Sequence, residues 1–175
     1  MVQYLGNYKE RGPMFEVGEE IVYPTLGVGR VEAIEEREIQ GNKQQFYILR
    51  ILADNSMIMV PTDNAETVGL RQLIGPDEVS KVFEILKGDI EEMSANWTRR
   101  YKDNLDRIKS GSIFQMAAVL RNLSLLKQQR ELSFGEKKML EDTKELIVVE
   151  LSHAQKITSL EATQLIDRIF EVEEI

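Results

Sequence analysis

The chain has 175 residues, 42% hydrophobic and 30% charged, with a formal net charge of −8. No apolar run approaches the roughly 20 residues of a membrane-spanning helix, and the lack of any cysteine excludes disulfides, thiolate zinc sites, iron–sulfur clusters and cysteine nucleophiles. With a single histidine, His153, neither a His-based triad nor a multi-His metal site is expected, and no cofactor or metal is expected.

The first 14 residues carry Lys9, Glu10 and Arg11 and lack the apolar stretch of a secretory signal; they are expected as an N-terminal extension. The following pattern is short and strand-like. Ile21-Val22-Tyr23 is an apolar run ended by Pro24 and the Gly27/Gly29 pair. Residues 28–39 resume with Val31, Ala33 and Ile34 among charges, and Gly41-Asn42 signals a hairpin. Residues 45–52 (QFYILRIL) are rich in aromatic and β-branched side chains and suit a central strand. Asp54-Asn55 marks a second turn, and 57–60 form a short strand stopped by Pro61. Four or five strands joined by tight turns predict a small antiparallel β-barrel over 15–74. An exposed edge of such a barrel can pair with a partner, or can simply be guarded by charges such as Glu35, Glu36 and Arg37.

Near Gly75-Pro76 the period becomes helical. Pro76 or Asp77 opens a helix through Val79, Val82, Phe83 and Leu86, closed by Gly88. Asn96 is a good N-cap for a helix from Trp97 to about Lys109, ended at Ser110-Gly111. Ser112 caps the next, with Ile113, Met116, Leu120 and Leu123 on one face. Ser133 with Glu136, and Thr158 with Glu161, are capping-box signatures for two more helices. The expected fold class is therefore α+β: a β-barrel followed by a bundle of about five helices over 75–175.

Charge is unevenly spread. Residues 97–144 hold 11 basic and 6 acidic side chains, net +5, inside an acidic protein. This island contains the only tryptophan, Trp97, beside Arg99, Arg100 and Lys102. An aromatic ring among cations suits nucleic acid: Arg and Lys track phosphates while the ring stacks on or wedges against a base. The same pattern also suits a tryptophan packed as a hydrophobic staple beside a solvated charged face, and the residues alone leave both readings open. Catalysis is the weakest reading, because no GxxxxGK[ST] phosphate loop, GxSxG or HExxH is present. Gly27-Val-Gly29 suits a tight turn, and His153 a structural or surface side chain.

The motifs FEVGEEIVYP at 15–24, Gly27-Val-Gly29, Val60-Pro61, VGLR at 68–71, NWTRRYK at 96–102, Lys109-Ser-Gly111 and LSFGEKKML at 132–140 resemble the CarD/CdnL family of bacterial transcription regulators. The likeness runs from about residue 15 to 155, and IFQMAAVLRNLSLLK at 113–127 is similar to the CdnL-type branch. The resemblance implies a Tudor-like barrel that binds the RNA polymerase β subunit, akin to the polymerase-binding module of transcription-repair coupling factor. It also implies a helical domain that contacts promoter DNA and stabilises the open complex formed with the housekeeping sigma factor.

By the same resemblance Trp97 is the wedge at the upstream edge of the bubble, Arg99, Arg100 and Lys102 adjoin it, and Lys137 matches a basic DNA-facing position. Arg37 matches a polymerase-contacting arginine. A second such arginine of actinobacterial members is replaced here by Met59, so an apolar contact through Met59 and Pro61 is implied. Leu125 and Leu126 stand where those relatives are more basic, which implies a narrower island. The resemblance also implies a cytoplasmic protein, nucleoid-associated through RNA polymerase and without membrane contact. No role is assigned to residues 1–14 or to the acidic tail after His153.

Overall fold

A two-residue turn sets the course of the N-terminal sheet. Gln40 and Gly41 both have positive φ (51° and 81°) and join strands β2 (Gly27–Ile39) and β3 (Asn42–Ile51), as a type I′ hairpin requires. The turn falls one residue before the Gly41-Asn42 signal, because Asn42 already pairs with Ile39. The structure is a computed structural model that describes residues 14–171. The expected N-terminal extension, apart from Met14, and the last four residues of the acidic tail lie outside the described residues.

With β1 (Glu20–Tyr23), β4 (Met57–Pro61) and the two-residue β5 (Arg71–Gln72), the strands form an antiparallel sheet in the order β4-β3-β2-β1-β5. The ladder is not closed by hydrogen bonds between β4 and β5. One face of the sheet packs Ile21, Val31, Tyr47, Leu49 and Val60 against Phe15, and the Tyr47 hydroxyl accepts from the Phe15 N–H at 3.1 Å. After β4 the chain makes a 3-10 turn (Thr62–Asn64) and a four-residue helix, α1 (Ala65–Val68), whose Ala65 closes the small core. Gly69 ends α1 at φ 87°, and a Cβ there would lie 3.1 Å from the Pro24 ring, so glycine serves both the left-handed turn and the close approach.

Five further helices follow: α2 (Pro76–Leu86), α3 (Trp97–Lys109), α4 (Ile113–Gln129), α5 (Phe134–Gln155) and α6 (Ser159–Phe170). The caps read from the sequence are in place. Asn96, Ser112, Ser133 and Thr158 accept from the backbone N–H three residues on, and the last two form capping boxes with Glu136 and Glu161. α4 runs through the centre, and Leu120 packs with Val82, Leu86, Ile113, Ile147, Leu151 and Ile166. The strands-then-helices order is the α+β class expected from the sequence. Among the described residues no helix is long and apolar enough to cross a membrane. His153 takes a structural place: its Nδ1 lies 3.0 Å from Glu20 Oε2 on the sheet.

Candidate nucleic-acid interface

Two helix N-termini meet at the basic island. α3 starts at Trp97 after the Asn96 cap, and α5 starts at Phe134 after the Ser133 cap. Ser133 joins them: its Oγ accepts from the Trp97 indole N–H at 3.2 Å and from the Glu136 N–H at 3.2 Å. The indole also stacks on Tyr101, one turn along α3, with ring centroids 5.3 Å apart and planes 21° apart. Gly135 lies beneath both rings; a Cβ there would stand 3.3 Å from Tyr101 Cε2 and 3.7 Å from Trp97 Cζ2. The tryptophan is thus oriented by three contacts, yet 45% of its surface stays open to solvent.

Beneath it lies a buried carboxylate. Glu136, 3% exposed at its side chain, accepts from Arg100 Nε and Nη2 at 3.2 and 3.1 Å, and from Arg130 Nη2 at 2.9 Å. Its other oxygen accepts the Ser133 N–H at 3.0 Å. Burial alone would raise this carboxyl. The Arg130 guanidinium, the Ser133 N–H and Arg100 outweigh it and hold the group down at about 2. Arg100 also donates to the Ser94 carbonyl at 2.8 Å, fixing the segment that leads into α3. That segment has a second anchor in Glu91, which pairs with Arg107 at 2.7 Å and with the buried Arg121 at 2.9 Å. Arg107, more than the opposing desolvation, holds Glu91 at about 2 as well. A groove of about 670 Å³ opens beside the indole, between this segment, the end of α4 and the start of α5.

The structure separates the cations implied for DNA. Arg99 and Lys102 are exposed on α3, and among the described residues neither forms an ion pair. Lys137, one turn into α5, makes an exposed pair with Glu131 at 2.9 Å, the kind of pair that contributes little and exchanges readily. Arg100 stands apart: only 12% of its side chain is exposed, and it supports the site from below. The sequence reading gave no role to Phe134, which at 85% exposure projects from the first turn of α5 beside Ser133. It also missed Tyr101 and the convergence of Arg100 and Arg130 on Glu136.

The residues implied for polymerase contact lie on the sheet. In the β2–β3–β4 register, Arg37 faces Gln44, Phe46 faces Glu35 and Pro61, and Ile48 faces Met59. Directly paired residues share a face and alternate residues repeat it. Arg37, Met59 and Pro61 therefore lie on one face of this ribbon, the reverse of the face that sends Tyr47, Leu49 and Val60 into the core. Met59 is 44% exposed on the edge strand, and Arg37 pairs with Glu35 at 2.7 Å.

Comparison with known proteins gives one consistent result. Residues 15–74 match the family described as the CarD-like/TRCF RID domain, and residues 81–167 match the CarD C-terminal domain. The chain is 36% identical over 145 residues to YdeB of Bacillus subtilis (strain 168), a protein named as a transcription factor, covering 83% of this chain and 95% of that one. Among solved structures it resembles CdnLNt of Myxococcus xanthus (47% identity, 34% of this chain, 84% of that one, TM-score 0.30). It also resembles the 72-residue N-terminal domain of Myxococcus xanthus CarD (38% identity, 33% and 77%, TM-score 0.29).

Proposed function

The chain belongs to the CarD family of transcription regulators, and on that footing we propose that residues 15–74 dock on the RNA polymerase β subunit while the helical region of 75–175 holds promoter DNA open. Arg37, Met59 and Pro61 form the docking face. Trp97 is the wedge at the upstream edge of the bubble in the complex with the housekeeping sigma factor. Arg99, Lys102 and Lys137 meet phosphates, and Arg100 holds the ring in position.

The observation that carries this reading is the half-open indole of Trp97, fixed by Ser133 and Tyr101 on a surface that offers Arg99 and Lys102 to a partner. A protein of net charge −8 binds DNA poorly by itself. Docking the sheet makes the DNA contact intramolecular, at an effective concentration of roughly millimolar for short connections. The wedge then acts by difference: it must touch opened DNA better than duplex. An aromatic contact with a base contributes about 1–3 kcal/mol, which shifts a two-state equilibrium by about 5- to 150-fold.

Trp97→Ala tests the proposal. The variant is expected to fold, to bind polymerase normally and to shorten the lifetime of the open complex on a promoter fragment. A lifetime equal to that of the parent refutes the wedge. An adaptor that binds polymerase without touching DNA is the competing reading, favoured by the internal pairing of Arg100 and Lys137. Photocrosslinking from Lys102 within a polymerase–promoter complex separates the two, since the adaptor gives no DNA adduct.

A further inference from the structure

One ion pair crosses from the sheet to the helices under cover. Arg71, on β5, donates from Nη1 and Nη2 to the two carboxylate oxygens of Glu150 on α5, at 2.5 and 2.8 Å. Glu150 is 3% exposed, and its Oε1 also accepts the Ile74 N–H at 3.3 Å. The third arm of Arg71, Nε, donates to the Gly111 carbonyl at 3.0 Å. Gly111 is the left-handed residue (φ 76°) between α3 and α4, and a Cβ there would sit 3.2 Å from the Pro24 ring at the end of β1. A single guanidinium thus ties together the sheet, the C-terminal part of α5 and the turn that ends α3. These are the two helices whose other ends carry Phe134 and Trp97.

We infer that Arg71 and Glu150 are positioning residues: they join the sheet and the helical region into one rigid unit, so that docking the sheet on a partner delivers Trp97 to a fixed place. A wedge must arrive within a fraction of a base-pair step to act. A bidentate guanidinium–carboxylate pair fixes direction as well as distance. A loose joint would spread the indole over a volume and lower its local concentration at the target. The contact of Glu20 with His153 lies on the same seam but is partly open to water, so it supports the joint less. The inference rests on the proposed role of Trp97 for its consequence, though not for the rigidity itself.

The test uses Arg71→Met with Glu150→Leu: removing both charges leaves neither one buried without its counter-charge, while the Ile74 N–H and the Gly111 and Gln72 carbonyls each lose a bond, so far-UV circular dichroism first checks that the double variant keeps the fold. The chain has no cysteine, so spin labels at Glu66→Cys on α1 and Asp142→Cys on α5 report the distance between the regions in the full chain. The parent is expected to give one narrow distance distribution and the double variant a broad one. Polymerase binding stays at the parental level, and open-complex lifetime falls toward that of Trp97→Ala. A short bis-maleimide bridge between Glu20→Cys and His153→Cys restores the lifetime if position is what was lost. A narrow distribution in the double variant overturns the inference. So does a broad distribution with an unchanged lifetime, provided Trp97→Ala shortens it. If Trp97→Ala changes nothing, the wedge fails, and the distance measurement alone decides the clamp.

Discussion

Arg37 on the sheet and Arg100 under the indole each meet a carboxylate at hydrogen-bond distance, in different surroundings. Arg37 and Glu35 are both close to half exposed, and among the described residues no other shares the pair. Glu136, by contrast, is buried and receives two guanidiniums and a backbone N–H. An exposed pair contributes about 0–1 kcal/mol and is screened by salt. A buried carboxylate with several donors carries the geometry around it, because each donor loses its partner at once if the carboxylate goes. The sheet face is therefore free to exchange its internal contact for an external one. The tryptophan surface is prebuilt, with its reactive parts exposed and its support underneath.

The comparison breaks first, if it breaks, at Glu136. Glu136→Ala leaves Arg100 nearly buried without an anion, and the expected loss is about 3–5 kcal/mol of folding stability. Urea denaturation measures it, and a loss below about 1 kcal/mol would mean that water reaches the arginine and that the site is not prebuilt. Tryptophan fluorescence in the same variant should report a looser indole, since the Ser133 cap loses its reciprocal partner.

Acid provides a second probe without mutation. The Glu136 carboxyl is held at about 2 in the folded chain against an ordinary 4.5. A depressed folded value means that the stabilisation is complete above about 4.5 and is lost as pH falls toward 2. The full span corresponds to roughly 3 kcal/mol. Glu91 is also held at about 2, but it is nearly half exposed and contributes less. Stability measured between pH 5 and 2 should therefore fall steeply in the parent and less steeply in Glu136→Gln. Equal slopes would remove Glu136 as the source.

What the sequence reveals here is what is local. The caps of α3, α4, α5 and α6 were all legible, because an N-cap and its partner are three residues apart. The β2–β3 hairpin was legible for the same reason, to within one residue. α1 and β5 were not: four and two residues carry no period. At the site, Trp97 and its neighbouring cations were visible as composition, yet a packed staple and an open ring read alike. Arg100 could not be told from Arg99, since its partner Glu136 lies 36 residues away on another helix. Phe134 could not be told from a packed apolar residue at a helix start. The joint made by Arg71 spans 79 residues and leaves no trace in either local pattern.

The smallest stability effect and a large binding effect should coincide at Arg37, and this sharpens the contrast most. Arg37→Glu sets a second carboxylate on the same face as Glu35, two residues along β2, where both are open to solvent. Water and salt screen that repulsion, so the cost is expected within about 0.5 kcal/mol, and the thermal midpoint should barely move. Docking is another matter. An acidic partner surface that meets Arg37 would meet a like charge instead, and juxtaposed like charges across an interface cost several kcal/mol. Co-purification with the polymerase β subunit should therefore fail while the fold is intact. Undiminished capture would remove Arg37 from the docking face and leave Met59 and Pro61 to carry it. A fall in thermal stability to match the lost capture would show instead that the outer face of the sheet is structural, and the distinction between a free face and a prebuilt one would not survive.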